Sequence, residues 1–134
     1  MAKEILLQVF YEDTDFTGYV FHANFLKYFS RAREEYLGIS NLKNLYEQGK
    51  HFVVRSTQLL YHKPVSHGDV LRISSLGQQT QAAVVSFKQD AYLQKNDAST
   101  ELAVSAVIDI VSVNRQGRPI RIPPEIIDWL ARSG

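Results

Sequence analysis

The stretch Tyr11–Leu37 changes its hydrophobic period partway along, and this change limits the folds that the chain can adopt. Residues 5–12 alternate between two faces with a period of two, which is typical of a β-strand. Beyond Gly18, apolar residues recur at spacings of four, three and four, which places them on one face of a helix: Phe25, Phe29, Ala32 and Tyr36. The sequence therefore predicts a strand, a turn at Gly18 and a long helix that begins near residues 22–24.

Four more apolar stretches follow, and turn residues separate them: residues 51–63, 70–76, 82–93 and 101–113. We expect the first of them to alternate regularly, with residues 53, 55, 57, 59 and 61 on one face. Gly77 is expected to interrupt the strands. Strands joined by turns, after one strand and one long helix, indicate an α+β fold with an antiparallel sheet and the helices on one of its faces.

Helix boundaries are also readable from the sequence. Gly38 is expected to end the long helix, and Ser40 to cap a shorter one that Gly49 ends. Pro123 and Pro124 predict the start of a terminal helix, because proline is tolerated in the first turn. The chain is expected to form one domain, residues 1–134, which is long enough to bury a core.

Composition excludes several classes of function. The net charge of +1 comes without a basic block, so we do not expect nucleic acid as a partner. The absence of cysteine excludes disulfides, a thiol nucleophile and zinc–thiolate sites. The first residues do not resemble a signal peptide, and no apolar run reaches the roughly 20 residues that a spanning helix needs. The expectation is a soluble, cytoplasmic protein.

Asp15 and His22 flank the turn that precedes the long helix, close to its first amide groups. Unpaired N–H groups and the helix dipole favour negative charge at that position, so a carboxylate and an imidazole there are candidates for catalysis. The residues alone leave a simpler explanation open. Asp15 can serve only to stabilise the helix start, by about 0.3–1 kcal/mol, and His22 can be a capping or half-buried histidine.

The acidic run also resembles the start of a calcium loop, with oxygen-bearing residues at positions one, three and five and glycine at six. Position twelve of such a loop should be a glutamate, and here it is Asn24. No other spacing in the chain suggests a transition-metal site. We therefore predict no metal.

Two segments resemble the signature of hotdog-fold acyl-CoA thioesterases, in the branch typified by 4-hydroxybenzoyl-CoA thioesterase. The first holds Tyr-Glu-Asp-Thr-Asp at 11–15, then Gly18, Val20, His22-Ala23-Asn24 and Arg31-Ala32-Arg33. The second is Phe52–Ser56, followed by Tyr61 and Lys63-Pro64. The resemblance implies a five-stranded antiparallel sheet wrapped around a long central helix. It also implies hydrolysis of an acyl-CoA thioester without a cofactor, since coenzyme A is part of the substrate.

The resemblance assigns roles to particular residues. Asp15 is expected to attack the thioester carbonyl or to activate water, and the N–H of His22 to polarise that carbonyl. The His22 side chain is expected to orient water or the carboxylate, and Tyr11 to position Asp15. A thiolate leaves readily because the pKa of a thiol is near ~8.5, so no strong general acid is required. The remaining expected contacts to substrate are Gly18, Val20, Asn24, Arg55, Ser56 and Lys63.

The chain departs from its relatives at two places. Ser30 stands where relatives often carry glutamate, and Tyr19 where a small aliphatic residue is more usual. Tyr19, with Phe16 and Phe21, is expected to reshape an acyl pocket near Asp15. Several strands are apolar on both faces, which suggests that a second copy covers one of them. The expected assembly is a homodimer or homotetramer, and the resemblance implies the same, with active sites between subunits.

Two other functions remain open from the sequence. The first is hydrolysis of an acyl carrier protein thioester, for which a basic patch at the pocket mouth would argue. The second is a non-catalytic module that binds acyl thioesters. A hotdog dehydratase would need a His-led acid–base pair in another context, which the sequence lacks.

Overall fold

The computed structural model describes residues 2–133, so the end residues of the predicted domain, Met1 and Gly134, lie outside it. Five strands form one antiparallel sheet in the order β1-β3-β4-β5-β2. The elements, in chain order, are β1 (Lys3–Gln8), a 3₁₀ turn (Tyr11–Asp13), α1 (Asn24–Leu37), α2 (Ile39–Glu47), β2 (Lys50–Tyr61), β3 (Val70–Gln81), β4 (Val84–Gln94), β5 (Thr100–Asn114) and α3 (Pro124–Ser133). The predicted α+β class and five-stranded antiparallel sheet are confirmed.

The long helix α1 is the centre of the core. Its four predicted apolar residues are at most 3% exposed and pack with sheet residues such as Phe87 and Ile73. Gly38 ends α1 in a left-handed conformation (φ 89°), as predicted. The prediction for Ser40 was wrong, because α2 begins at Ile39 with Gly38 as its cap and Ser40 lies inside the helix.

Two strand boundaries differ from the predictions. The first strand ends at Gln8, and Tyr11 lies in the 3₁₀ turn that follows. Gly77 does not interrupt the sheet, since β3 continues to Gln81. A Cβ atom at Gly77 would lie 2.8 Å from Cε1 of Phe87 and 3.2 Å from Cε1 of Tyr36. Glycine stands here because the strand passes directly over buried rings.

Strand β2 carries a bulge that the sequence did not reveal. Its pairing with β5 shifts between Val54 and Ser56, which leaves Arg55 as the extra residue. Phe52 and Leu59 therefore both pack against the core, although they are seven residues apart. The predicted regular alternation along β2 was wrong beyond Val54. Among the named strands β2 pairs only with β5, so it forms an edge of the sheet.

Within residues 2–133, no helix combines the length and the apolar character required to cross a membrane.

Candidate active site

A tight loop between the 3₁₀ turn and α1 presents Asp15. Thr14 and Val20 form an isolated β-bridge across its base. The Asp15 N–H donates to the Tyr19 carbonyl (3.1 Å), and the Gly18 N–H donates to the Asp15 carbonyl (3.0 Å). Gly18 adopts φ +86°, a left-handed conformation that glycine reaches without steric cost. The loop geometry thus fixes the backbone of Asp15.

The Asp15 carboxylate is exposed, and Thr17 orients it. The backbone N–H of Thr17 donates to Oδ1 at 2.9 Å, and its hydroxyl donates to the same oxygen. These two hydrogen bonds, and to a smaller extent the charge of His22, hold the pKa of the Asp15 carboxyl below its usual value of 3.8. The group is therefore a carboxylate at neutral pH, with its second oxygen available to a substrate.

Asn24, which was expected to contact substrate, lies beneath this loop and is only 8% exposed. Its Nδ2 donates to Oδ1 of Asp13 (3.1 Å), while the Phe10 N–H donates to Oδ2 of the same carboxylate (2.9 Å). Burial acts to raise the pKa of Asp13, but these hydrogen bonds, together with Tyr28 and the charge of Arg31, outweigh it and the pKa is lowered. Asn24 and Asp13 thus join the loop to the first residue of α1.

The start of α1 has unpaired donors. No side chain caps the helix at Ala23. Among residues 2–133, the N–H groups of His22 and Ala23 donate to no backbone carbonyl. Such groups, together with the helix dipole, stabilise a negative charge that lies close to them. The helix start therefore has the chemistry that a developing oxyanion requires.

A cavity of about 400 Å³ with a wide mouth brings part of the predicted site together. Four predicted residues line it: Asp15, Val20, His22 and Lys63. Its other lining residues come from the loop, from α1, from the end of β2 and from the segment that follows β2: Thr17, Tyr19, Phe25, Tyr61, His62, Pro64 and Val65.

The other predicted site residues lie elsewhere in this chain. Tyr11 is 79% exposed, and its ring stands edge-on to His67 at 6.1 Å. Gly18 forms the loop turn. Arg55 pairs with Asp109 (3.3 Å), and Ser56 is exposed on the same edge strand. Neither β2 residue lines the cavity that contains Asp15.

Tyr61 is a site residue that sequence reasoning did not assign. Its hydroxyl donates to the carbonyl of His22 (2.8 Å), and its ring packs edge-on against His22 and Phe25. It therefore holds the backbone at the start of α1 from the end of β2. The one signal in the sequence was its place in the second family-like segment.

Lys63 is anchored at the cavity rim. Its Nζ lies 2.6 Å from Oε2 of Glu101, and Lys95 lies 3.3 Å from the other oxygen of that carboxylate. The two lysines lower the pKa of Glu101. Within residues 2–133, no group of three or more histidine, aspartate or glutamate side chains is arranged to hold a metal ion.

Comparison with known sequences identifies the family of this chain. Residues 9–130 match the profile of the thioesterase-like superfamily. The acyl-CoA thioesterase YbgC of Haemophilus influenzae is 32% identical over 124 residues, which cover 90% of this chain and 88% of that protein. The protein of the same name from Helicobacter pylori strain 26695 is 39% identical over 89 residues, 66% of each chain. That second alignment spans just under two thirds of the relative.

Solved structures show the same fold. Slr0204, a 1,4-dihydroxy-2-naphthoyl-CoA thioesterase from Synechocystis, superposes with a TM-score of 0.88 at 19% identity and covers 98% of this chain and 96% of its own. The 4-hydroxybenzoyl-CoA thioesterase from Pseudomonas sp. strain CBS-3 gives a TM-score of 0.86 at 18% identity, over 96% of this chain and 98% of its own. These likenesses confirm the hotdog fold. The chain belongs to the thioesterase-like superfamily and is a thioester hydrolase.

Proposed function

We propose that the protein hydrolyses an acyl-CoA thioester to a free acid and coenzyme A, with the Asp15 carboxylate as the reacting group. The observation that carries the proposal is the shared cavity of Asp15 and the uncapped start of α1. A nucleophile or base and a set of oxyanion donors are the two requirements of thioester hydrolysis. The names of the relatives, acyl-CoA thioesterases, support the choice of substrate.

Two routes use the same residues. In the first, an Asp15 oxygen attacks the thioester carbonyl, the thiolate leaves, and water hydrolyses the mixed anhydride and restores the carboxylate. In the second, Asp15 takes a proton from the water that attacks the carbonyl. The lowered pKa of Asp15 keeps the carboxyl ionised at neutral pH, which both routes require, so the shift does not separate them.

The N–H of His22 is the proposed donor to the carbonyl oxygen. Charge develops on that oxygen as the carbonyl is attacked, and a donor already in place stabilises the transition state more than the substrate. Tyr61 supports this donor indirectly, since its hydrogen bond to the His22 carbonyl restrains the backbone that carries the N–H. Tyr61 is a positioning residue in this proposal.

The proposed assembly is a homodimer that pairs two β2 strands. β2 is an edge strand of 12 residues with exposed apolar side chains: Val53, Val54 and Leu60 are 43%, 50% and 57% exposed. A long apolar edge strand with unpaired backbone groups can pair with a strand of another chain. Antiparallel pairing would set the start of one β2 strand opposite the end of the other, so that each cavity lies beside the partner. Further pairing of dimers would give a tetramer.

The test is thiol release from a panel of short aliphatic, long aliphatic and aromatic acyl-CoAs, measured for wild type and Asp15→Asn. We expect turnover on part of the panel and a loss of about 10²–10⁴-fold in kcat for the variant, with an unchanged circular dichroism spectrum. Asp128→Asn, at an exposed position on α3, is the matched control and should keep wild-type activity. An Asp15→Asn variant as fast as wild type would refute the assignment.

The same assay separates the remaining alternatives. Activity on an acyl carrier protein thioester, but on no acyl-CoA, would move the substrate to the carrier protein. Thermal protection by acyl-CoA without any thiol release would support a non-catalytic binding module. To separate the two routes, hydroxylamine can be added during turnover. A hydroxamate found on Asp15 by mass spectrometry would support the anhydride.

A further inference from the structure

A second cavity, of about 300 Å³, opens between α1 and β2 at the other end of the helix from the Asp15 cavity. Apolar side chains such as Leu37 and Phe52 form much of its wall. Its polar side chains are Ser30, Arg33, Glu34 and His51. It is therefore a small, largely apolar cavity with a guanidinium in its lining.

Arg33 is a half-buried cation without an acidic partner. No carboxylate of residues 2–133 forms an ion pair with it. Its neighbours one turn away on the helix face are Phe29, Ser30, Tyr36 and Leu37, none of them acidic. Burial lowers the pKa of Arg33. An anionic ligand would provide the missing charge.

The guanidinium is held in place from behind. Its Nη1 donates to Oε1 of Gln89 (3.0 Å). The Gln89 side chain is fully buried, and its Nε2 donates to the Phe29 carbonyl (3.0 Å) and to Oγ of Ser75 (2.8 Å). This arrangement fixes the direction of the Gln89 oxygen and thus of the Arg33 head group. A guanidinium has five N–H donors in a rigid fork, so others remain for a ligand.

We propose that this cavity binds the distal carboxylate of the acyl group, so that the enzyme prefers thioesters of short dicarboxylic acids over monocarboxylic ones of the same length. The inference rests on the proposed function and on its β2-paired dimer. Antiparallel pairing sets the start of β2, near His51, opposite the end of the partner's strand, which borders the Asp15 cavity. In such a dimer, the Arg33 cavity of one protomer would lie towards the reacting carbonyl of the other.

The size and polarity of the Arg33 cavity favour an acyl carboxylate over a phosphate of coenzyme A. The wall is mainly apolar and the volume small, which suits a short carbon chain that ends in one anionic group. Phosphates of the nucleotide carry more charge and more bound water, so a half-buried apolar cavity is a poor site for them. Glu34 is exposed at the cavity, where water screens its repulsion of an anion.

The experiment compares kcat/KM for succinyl-CoA and butyryl-CoA, which have the same chain length and differ in the distal carboxylate. A charged hydrogen bond to Arg33 predicts a preference of about tenfold to hundredfold for succinyl-CoA in wild type. Ser30→Glu places a carboxylate on the same helix face, one turn before Arg33, and should remove the preference. Ser40→Glu makes the same change at an exposed position of α2 that does not line the cavity, and it should keep the preference. Ser30 and Ser40 are both exposed, so both variants should fold.

Direct binding separates this inference from the proposed function. Succinate and the neutral butyramide are titrated into wild type and both variants and followed by ligand-detected NMR. Succinate binding that exceeds butyramide binding, that Ser30→Glu weakens and that Ser40→Glu preserves would support the site even if no acyl-CoA is hydrolysed. Equal kcat/KM for the two thioesters in an active wild type would overturn the inference. So would weaker binding of adenosine 3′,5′-bisphosphate in Ser30→Glu, because the cavity would then receive a phosphate.

Discussion

The buried amide of Gln89 gives the most quantitative prediction. Gln89→Met keeps the length of the side chain but removes every polar atom from a position that is 0% exposed. It breaks three hydrogen bonds, to the Phe29 carbonyl, to Ser75 Oγ and from Arg33 Nη1. The Ser75 hydroxyl, 1% exposed, is left without its donor, and the guanidinium loses the group that orients it.

The expected loss follows from these contacts. A neutral buried hydrogen bond contributes about 0.5–1.5 kcal/mol and one to a charged group about 1.5–3 kcal/mol. The thioether recovers part of this by burying apolar surface, and Arg33 can rehydrate through its cavity. We therefore expect the free energy of unfolding to fall by about 2–4 kcal/mol, measured by urea denaturation at fixed protein concentration. The m value should not change.

Two further variants test the reasoning. Gln78→Met makes the same chemical change at an exposed position of β3 and should stay within about 0.5 kcal/mol of wild type. Ser75→Ala combined with Gln89→Met should be less destabilising than the two single losses added together, by about 1 kcal/mol, because the orphaned hydroxyl is removed as well. A loss below about 1 kcal/mol for Gln89→Met, or strict additivity in the double variant, would refute the role given to this network.

Three shorter predictions concern the fold. Gly77→Ala should lower the unfolding free energy by about 1–3 kcal/mol in urea denaturation, since its Cβ would overlap the Phe87 ring; a neutral result would contradict this. Deleting Arg55 removes the extra residue but leaves Phe52 and Leu59 an even number of positions apart, so both stay on the core face; we expect the unfolding free energy to change by less than about 1 kcal/mol, as for Arg55→Ala, and a loss above about 2 kcal/mol would contradict the assignment of Arg55 as the bulge residue. The lowered pKa of Asp13 means that its carboxylate stabilises the fold above about pH 3.8 and that this contribution is lost as the pH falls through the folded-state pKa. Urea titrations should accordingly show a gap between wild type and Asp13→Asn at pH 7 that narrows towards about pH 3, and a gap that widens in acid would contradict it.

The sequence predicted those parts of the fold that local periodicity determines. Helix α1 and its buried face were readable, because spacings of three and four set a helical face without reference to the rest of the chain. The bulge at Arg55 was not, because the partner strand β5 sets the register. Gly77 was misread for a similar reason. Glycine usually marks a break, and only the tertiary structure places aromatic rings against this one.

In the candidate site, too, the sequence predicted only the residues that lie close together along the chain. Asp15 and His22 lie seven residues apart around one short turn, so the sequence could predict that they share a site. Tyr61 reaches His22 from 39 residues away, and Arg33 meets Gln89 across 56. Neither pair leaves a periodic or motif-like signal. Asn24 was assigned to the right region, but its contact with Asp13 depends on how the loop folds back over the helix start.

The way in which Asp15 is held bears on what a second copy would contribute. Its carboxylate is oriented by Thr17 within the same loop and not by packing, so its position does not depend on burial. In a single chain the site is open to solvent, because the cavity has a wide mouth and Phe16 beside it is fully exposed. Electrostatic stabilisation of an oxyanion strengthens when water is excluded. In the proposed dimer, the partner would therefore increase the catalytic effect of a carboxylate and an amide that each protomer already holds in place.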